Sequence, residues 1–117
     1  MSSSAVILIV DDEETIRFSI KEFLGGQGYE VIVAETCEQA LEKIDEFLPD
    51  LVLMDLRLPN MGGIELLEKV KTKDPNALII VMTGFGSVDT AVEAMKIGAY
   101  DYLEKPFKTE HLKLVIE

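Results

Sequence analysis

Residues 5–12, AVILIVDD, are the most informative segment for the fold because a short apolar run ends there on two adjacent aspartates. A run of Val, Ile and Leu that is too short for a helix is typical of a strand buried in a parallel sheet. The pattern recurs in LVLM before Asp55, in LIIVM before Thr83 and in YL shortly before Lys105–Pro106. Parallel strands end at one edge of their sheet, which is where open α/β sheets bind ligands. We therefore expect three carboxylates, a hydroxyl and an ammonium to converge at that edge, a set suited to phosphoryl chemistry.

Strand and helix patterns alternate five times along the 117 residues, which predicts one α/β domain with a parallel sheet covered on both faces. The second strand alternates apolar and polar side chains, so we expect it near an edge of the sheet. The predicted strands are 5–10, 30–34, 51–54, 77–82 and 100–103. The first predicted helix covers residues 14–24, and a capping box at Thr36–Gln39 opens the second. The third runs through Leu66, Leu67 and Val70, and the fourth covers about 87–97. A fifth predicted helix is capped by Thr109 and carries Leu112, Val115 and Ile116.

Composition and charge exclude several classes of protein. Hydrophobic residues make up 48% of the chain, which supports a packed core, and no apolar stretch approaches the roughly 20 residues of a membrane span. The formal net charge of −11 has the wrong sign for attraction to nucleic acid, so we expect no direct DNA binding by this domain. The single cysteine, Cys37, excludes an internal disulfide. The N-terminus has no basic region and no signal-peptide core, so we expect a cytoplasmic protein.

The acidic residues admit two interpretations. Acids often cap a helix N-terminus, but Asp11 and Asp12 are followed by Glu13 and Glu14, and four such charges repel one another unless a cation intervenes. Mg²⁺ prefers oxygen ligands, so we favour metal binding. Asp55 taken alone could be a turn residue. At the same sheet edge it becomes a third carboxylate and a candidate nucleophile that would form an aspartyl phosphate.

The remaining polar residues are weak signals when they are taken singly. Thr83 ends a strand, which is an ordinary use of threonine, although its hydroxyl could donate to a phosphoryl oxygen. Lys105 would ordinarily be an exposed lysine, yet at this edge it supplies positive charge against three acids or a phosphoryl group. A cis bond between Lys105 and Pro106 would fix the direction of the lysine side chain. Tyr102 fits packing in the core or at a sheet edge, and His111, the one histidine, fits a solvated surface position.

Four motifs in this order resemble the receiver domain of two-component response regulators: VDDEE, LVLMDLRLPNMGGIELL, VMTG and YLEKPF. Each motif is weak alone, but the ordered set on a five-unit alternation is highly specific and covers essentially the whole chain. The resemblance implies a flavodoxin-like (CheY-like) doubly wound five-stranded parallel sheet with strand order 2-1-3-4-5 and helices on both faces. It also implies that residues 1–117 form one receiver domain.

The resemblance assigns roles to the residues at the sheet edge. Asp55 would accept a phosphoryl group from the phosphohistidine of a cognate sensor histidine kinase, Thr83 and Lys105 would contact the phosphoryl oxygens, and Tyr102 would be the switching aromatic. The implied Mg²⁺ ligands are Asp11, Asp12, Asp55 and the backbone carbonyl of Arg57. Phosphorylation would change the face made by helix four, strand five and helix five and would favour a homodimer. Such a domain switches without turning over an external substrate.

A finer resemblance lies in residues 83–107, TGFGSVDTAVEAMKIGAYDYLEKPF. This stretch is similar to receivers of the nitrogen-regulator class of sigma-54-dependent transcription activators. In that class an AAA+ ATPase domain and a DNA-binding domain follow the receiver. The chain would then be the N-terminal part of a longer protein, and whether Glu117 is the natural end stays open.

Three other interpretations compete with a receiver domain. A Mg²⁺-dependent phosphatase with an aspartyl nucleophile would place a second acid two residues after it, where this chain has Arg57. A flavodoxin-like electron carrier would need hydroxyls and glycines after the first strand, where four acids would repel its phosphate. A pseudo-receiver would bind partners without phosphorylation, and the complete set of acids together with Thr83 and Lys105 argues against it.

Overall fold

A computed structural model describes residues 5–57, 63–84, 88–105, 110, 112 and 116. Within these residues five parallel strands form one sheet in the order β2-β1-β3-β4-β5, which confirms the predicted doubly wound arrangement and the edge position of β2. The strands are β1 (Val6–Val10), β2 (Glu30–Ala34), β3 (Leu51–Asp55), β4 (Ile79–Thr83) and β5 (Asp101–Glu104). The helices are α1 (Glu14–Gly26), α2 (Cys37–Phe47), α3 (Gly63–Lys73) and α4 (Val88–Ile97).

The predicted fifth helix is described only in part. Leu112 and Ile116 are helical, and Leu112 is buried against the sheet. Thr109 and Val115 lie outside the described residues. In the part of the chain that the structure describes, no helix has the length and apolar character that crossing a bilayer requires.

Two apolar layers cover the two faces of the sheet. Alternate side chains of a strand point to opposite faces, so Leu8 and Val52 pack against α2, α3 and α4, whereas Ile9 and Leu53 pack against α1. The central strands β1, β3 and β4 are buried on both faces, which explains why their sequences are continuous apolar runs. The Cys37 side chain lies fully buried in the first of these layers, which is common for a free cysteine.

Several predicted boundaries are wrong by one or two residues. Helix α1 continues to Gly26 rather than ending at Leu24, and the left-handed position that needs glycine is Gly28, with φ 95°. Strand β4 begins at Ile79 rather than at Ala77, because the Ala77 amide donates within the preceding turn instead of the ladder. Strands β1 and β5 also begin one residue later than predicted.

The C-terminal ends of the strands carry the polar residues of interest. Strands β3 and β4 run one residue further than predicted, so Asp55 and Thr83 are the last residues of their strands. The Lys105 amide donates to the Thr83 carbonyl over 2.7 Å, and the Asp11 amide donates to the Ala34 carbonyl over 3.1 Å. The sheet ladder itself therefore fixes the backbone of four of the five residues that the sequence placed at this edge, namely Asp11, Asp55, Thr83 and Lys105.

The predicted capping box opens α2. The Thr36 hydroxyl accepts from the Gln39 amide over 3.1 Å, which satisfies one of the free donors at the helix N-terminus. The Gln39 side-chain oxygen accepts in return from the Glu35 amide over 3.0 Å, one residue before the usual partner. These two bonds hold the β2–α2 turn beside the end of β1.

Candidate functional site

Three carboxylates meet at the C-terminal edge of the sheet. Asp11 and Asp12 follow β1, Asp55 ends the neighbouring β3, and one carboxylate oxygen of each lies within 4.8 Å of the other two. Asp11 and Asp55 are 0% and 5% exposed, whereas Asp12 is exposed. The structure thus brings together the three acids that the sequence singled out, and their role as metal ligands stays a prediction.

Lys105 joins the two buried carboxylates. Its ammonium donates to Asp11 Oδ2 over 2.7 Å and to Asp55 Oδ2 over 2.9 Å, across 94 and 50 residues of sequence. The Lys105 side chain is 15% exposed, so the contacts are largely removed from water. Glu13 Oε1 lies 3.9 Å away on the solvent side. Buried like charges are unfavourable unless a cation compensates them, and Lys105 provides that compensation in part.

Asp11 and Asp55 are held in the same way. In each case Oδ1 accepts from the backbone amide two residues further on, Glu13 for Asp11 and Arg57 for Asp55, and both distances are 2.9 Å. In each case Oδ2 faces Lys105. This local Asx-type bond fixes the carboxylate against its own turn. The two buried acids therefore have defined orientations, and one oxygen of each is directed at the Lys105 ammonium.

Burial and the contacts within the cluster shift two pKa values. Burial raises the pKa of Asp11 above its ordinary value, and the opposing hydrogen bonds from Lys105 and from the Glu13 amide do not reverse this. Burial alone would lower the pKa of Lys105, but the contacts with Asp11 and Asp55 outweigh it and raise that pKa. Lys105 is therefore charged at neutral pH. Its single positive charge does not balance the three carboxylates of the cluster.

Gly63 allows the chain to pass close behind Asp55. Its amide donates to the Leu56 carbonyl over 3.1 Å. A Cβ at this position would lie 2.7 Å from the Asp55 carbonyl oxygen and would overlap Leu56 Cα. Only glycine fits there without moving the end of β3, so the position of Asp55 depends on a residue that the sequence analysis did not select.

Thr83 and Arg57 border the site on the β4 side. Thr83 is buried, and its hydroxyl donates to the Leu103 carbonyl over 3.5 Å, which is a long and therefore weak bond. The Arg57 guanidinium lies against Gly84, where a Cβ would be 3.5 Å from Arg57 Cζ. A hydroxyl held so loosely can turn toward another acceptor at little cost.

An exposed apolar face adjoins β5. Val92 and Met95 on α4 are 48% and 40% exposed, and Tyr102 on the edge strand β5 is 47% exposed. The packing of Tyr102 is therefore at the sheet edge and not in the core. Pro106 and His111 lie outside the described residues, so the predicted cis bond and the predicted surface position of His111 remain predictions.

Arg17 is a second residue that sequence analysis missed. Its guanidinium donates to the Asp11 backbone carbonyl over 2.8 Å and lies 3.4 Å from a Glu35 carboxylate oxygen. The available signal was an arginine in the first turns of the helix that follows the acidic pair. That signal is weak, because arginines on amphipathic helices are usually solvated.

The donor set fits a hard divalent cation. In the part of the chain that the structure describes, this set consists of carboxylate oxygens, two of them on buried side chains with fixed orientation, and Lys105 leaves an excess of negative charge. Mg²⁺ typically takes one or two carboxylates and completes its shell with water and phosphate oxygens. No histidine or cysteine of the described residues belongs to the cluster, which disfavours zinc.

A buried acid pair, a strand-end threonine and a lysine thus lie at one edge of a 2-1-3-4-5 sheet. Residues 7–117 match the family model of the response regulator receiver domain, and the chain belongs to that family. It is 46% identical over 110 residues to the transcriptional regulatory protein ZraR of Klebsiella oxytoca, covering 94% of this chain and 25% of that protein. It is also 38% identical over 107 residues to sporulation initiation phosphotransferase F of Bacillus subtilis, covering 92% of this chain and 86% of that protein.

A solved structure agrees with the family and with the finer resemblance. The solution structure of the beryllofluoride-activated NtrC4 receiver domain dimer superposes with a TM-score of 0.89 at 41% identity, covering 95% of this chain and 92% of that one. The predicted similarity to the nitrogen-regulator class is confirmed at this level. The chain spans about a quarter of the length of the transcriptional regulators that it matches.

Proposed function

We propose that this receiver domain is a phosphoacceptor switch in which Asp55 carries the phosphoryl group. The observation that supports this most directly is the contact of Lys105 with both buried carboxylates, because it places a fixed cation beside Asp55 Oδ2. An oxygen of the Asp55 carboxylate would attack phosphorus, and the P–N bond of a phosphohistidine would break, with the electron pair leaving on the imidazole. Lys105 would then stabilise the phosphoryl oxygens that approach it.

We propose Mg²⁺ as the cation for Asp11, Asp12, Asp55 and the Arg57 carbonyl. When bound, it would neutralise charge on the phosphoryl oxygens. The protein's own contribution is orientation: the Asx-type bonds and Lys105 hold Asp11 and Asp55 before any ligand arrives. Preorganised groups of this kind lower the barrier to transfer because they do not need to reorganise during the reaction.

The switch would run through Thr83 and Tyr102. A phosphoryl group on Asp55 adds about two negative charges and strong hydrogen-bond acceptors. The Thr83 hydroxyl, which has only a 3.5 Å bond to Leu103, would turn toward these acceptors, and Tyr102 would move inward from its exposed position. A local change in charge would thus alter the face that carries Val92 and Met95 by shifting the population of two states.

The partners follow from this proposal. A sensor histidine kinase would donate the phosphoryl group, and the changed α4–β5 face would bind a second copy of the chain. Because the matching transcriptional regulators are about four times longer, we propose that residues 1–117 are the receiver domain of a longer sigma-54-dependent activator with AAA+ and DNA-binding domains. We expect no turnover of an external phosphate ester.

The test is phosphorylation in vitro. The protein and its Asp55→Asn variant are incubated with acetyl phosphate, with Mg²⁺ or with EDTA, and intact mass is recorded. We expect one base-labile phosphoryl adduct on the wild type that requires Mg²⁺ and is absent from Asp55→Asn. An adduct that persists in Asp55→Asn would place the acceptor elsewhere. Failure of both acetyl phosphate and a panel of histidine kinases to give an adduct would indicate a pseudo-receiver.

A further inference from the structure

Arg17 connects the acidic turn after β1 to two other elements. From α1 its Nη1 donates to the Asp11 carbonyl over 2.8 Å, and its Nη2 lies 3.4 Å from Glu35 Oε2 in the β2–α2 turn. The Arg17 side chain is only 15% exposed, although the helix position is close to solvent. A largely buried guanidinium that bridges a backbone carbonyl and a carboxylate has a defined orientation, because both contacts use its planar donors.

The carbonyl that Arg17 holds belongs to the peptide between Asp11 and Asp12. The Asp11 carboxylate has its own contacts, from the Glu13 amide and from Lys105. Among the described residues none donates a hydrogen bond to the Asp12 carboxylate or forms an ion pair with it. Among the described contacts, the Asp12 side chain is therefore positioned through its backbone, and Arg17 holds the peptide that precedes it.

The other end of the Arg17 contact is also anchored. The Glu35 amide donates to the Gln39 side-chain oxygen over 3.0 Å. The next residue, Thr36, caps α2. Arg17 thus ties the Asp11–Asp12 peptide to a turn that already has its own hydrogen bonds.

We propose that Arg17 is a positioning residue that directs the Asp12 carboxylate toward a divalent cation shared with Asp11 and Asp55. This inference rests on the proposed function, since it concerns the same cation. Arg17 would not be a ligand and would act only through the Asp11–Asp12 peptide. Residues that orient metal ligands in this indirect way typically contribute about ten- to a hundredfold to metal affinity.

Charge and positioning predict opposite results when Arg17 is removed. Loss of a positive charge near a cation site, taken alone, strengthens Mg²⁺ binding because repulsion falls. Loss of the hydrogen bond to Asp11 releases the peptide and weakens Mg²⁺ binding. Lys21 is the matched control: it lies one helical turn further along α1, is exposed and carries the same charge. The sign of the change in affinity therefore separates the two effects.

The experiment measures the Kd for Mg²⁺ by amide chemical shifts in wild type, Arg17→Ala, Arg17→Lys and Lys21→Ala. We expect binding about tenfold weaker in Arg17→Ala. Arg17→Lys keeps the charge but cannot contact both acceptors in the same way, so we expect an intermediate loss of about threefold. Lys21→Ala should bind at least as tightly as wild type. In EDTA, the Asp12 and Glu13 amide signals should shift in Arg17→Ala and stay in place in Lys21→Ala.

Each result decides the inference. Unchanged or tighter Mg²⁺ binding by Arg17→Ala overturns it, as does an equal loss in Lys21→Ala. If Arg17→Ala does not fold, wild-type affinity in Arg17→Lys, with unmoved Asp12 and Glu13 signals, overturns it instead. If the wild type does not bind Mg²⁺, both the metal in the proposed function and the role of Arg17 are overturned. If the wild type binds Mg²⁺ and the Arg17 variants bind it equally well, only the role of Arg17 is overturned.

Discussion

The Lys105 ammonium lies 2.9 Å from Asp55 Oδ2. Asp55 ends β3 and Lys105 follows β5, so the contact spans the end of β4, which lies between them in the sheet. The ammonium contacts the Asp11 carboxylate at the same time. One lysine therefore holds the proposed phosphoacceptor and a proposed metal ligand at a fixed separation. In the folded protein it is the nearest positive charge to both among the described ion pairs, so its removal has consequences for stability as well as for phosphoryl transfer.

Lys105→Met should lower the free energy of unfolding by about 3 to 5 kcal/mol in EDTA, because it leaves two buried carboxylates without a cation. Addition of Mg²⁺ should recover part of this loss, since the ion compensates the same charges. Urea denaturation with and without Mg²⁺ measures both effects. Lys96→Met is the control, because Lys96 is exposed on α4. A loss no larger than that of Lys96→Met would show that Lys105 does not stabilise the acids.

Asp11→Asn should be more stable than the wild type at neutral pH in EDTA. Burial raises the folded-state pKa of Asp11 above the ordinary value of 3.8, so the folded protein binds this proton more tightly than the unfolded chain. The resulting stability is fully present below the unfolded pKa and is lost as pH rises through the folded pKa. The advantage of Asp11→Asn should therefore shrink as pH falls through the folded pKa toward 3.8.

Urea denaturation of wild type and Asp11→Asn across a pH series measures that difference directly. Glu46→Gln, which neutralises an exposed acid on α2, serves as the control. Because the comparison uses differences, the titration of carboxylates remote from Asp11 cancels to first order. A difference between wild type and Asp11→Asn that stays constant with pH would contradict the raised pKa.

Gly63→Ala should destabilise the protein by about 1 to 3 kcal/mol, the usual cost of forcing a methyl group into occupied space. The new Cβ would lie 2.7 Å from the Asp55 carbonyl oxygen, so the end of β3 has to move. We expect the rate of Asp55 phosphorylation by acetyl phosphate to fall as well. Gly25→Ala in α1 meets no atom within 4 Å and should stabilise by about 0.5 to 1 kcal/mol. Thermal unfolding of both variants and a timed mass measurement provide the test.

The sequence predicted the sheet and the edge residues well because both depend on strong local signals. Apolar runs that are continuous in β1, β3 and β4 need burial on both faces, and a parallel sheet brings their ends together. The strand order itself came from resemblance. Spacing alone does not determine which strands are neighbours.

The parts that sequence analysis missed depend on contacts between distant segments. Gly63 looks like an ordinary loop glycine until the Asp55 carbonyl is seen behind it. Arg17 looks like a solvated helix residue until the Asp11 carbonyl and Glu35 are seen to converge on it. In both cases the decisive partner is a backbone atom of another segment, and residue types do not reveal which backbone atoms come into contact.

Activation with beryllofluoride should bury the Tyr102 ring, which is 47% exposed in the structure. The Thr83 hydroxyl would turn toward the new acceptor, and the ring would fill the space beside it. Fluorotyrosine labelling followed by ¹⁹F NMR with a soluble quencher reports ring exposure. Tyr100, which is 61% exposed, is the internal control and should not change. Thr83→Val keeps the shape but removes the hydroxyl, so the Tyr102 signal should then respond less.

Activation should also favour a dimer that uses the α4–β5 face. Val92, Met95 and Tyr102 expose apolar surface there, and contiguous apolar surface of this kind often marks an interaction site. Met95→Glu would place a charge in that contact and should reduce dimerisation at least about tenfold, since burying an unpaired charge is costly. Sedimentation velocity with and without beryllofluoride measures the monomer–dimer equilibrium. Leu78→Glu is the control, because Leu78 is exposed to a similar extent but lies at the opposite end of the sheet, before β4. Equal dimerisation by Met95→Glu and wild type, with Leu78→Glu disrupting it instead, would move the interface to that opposite end.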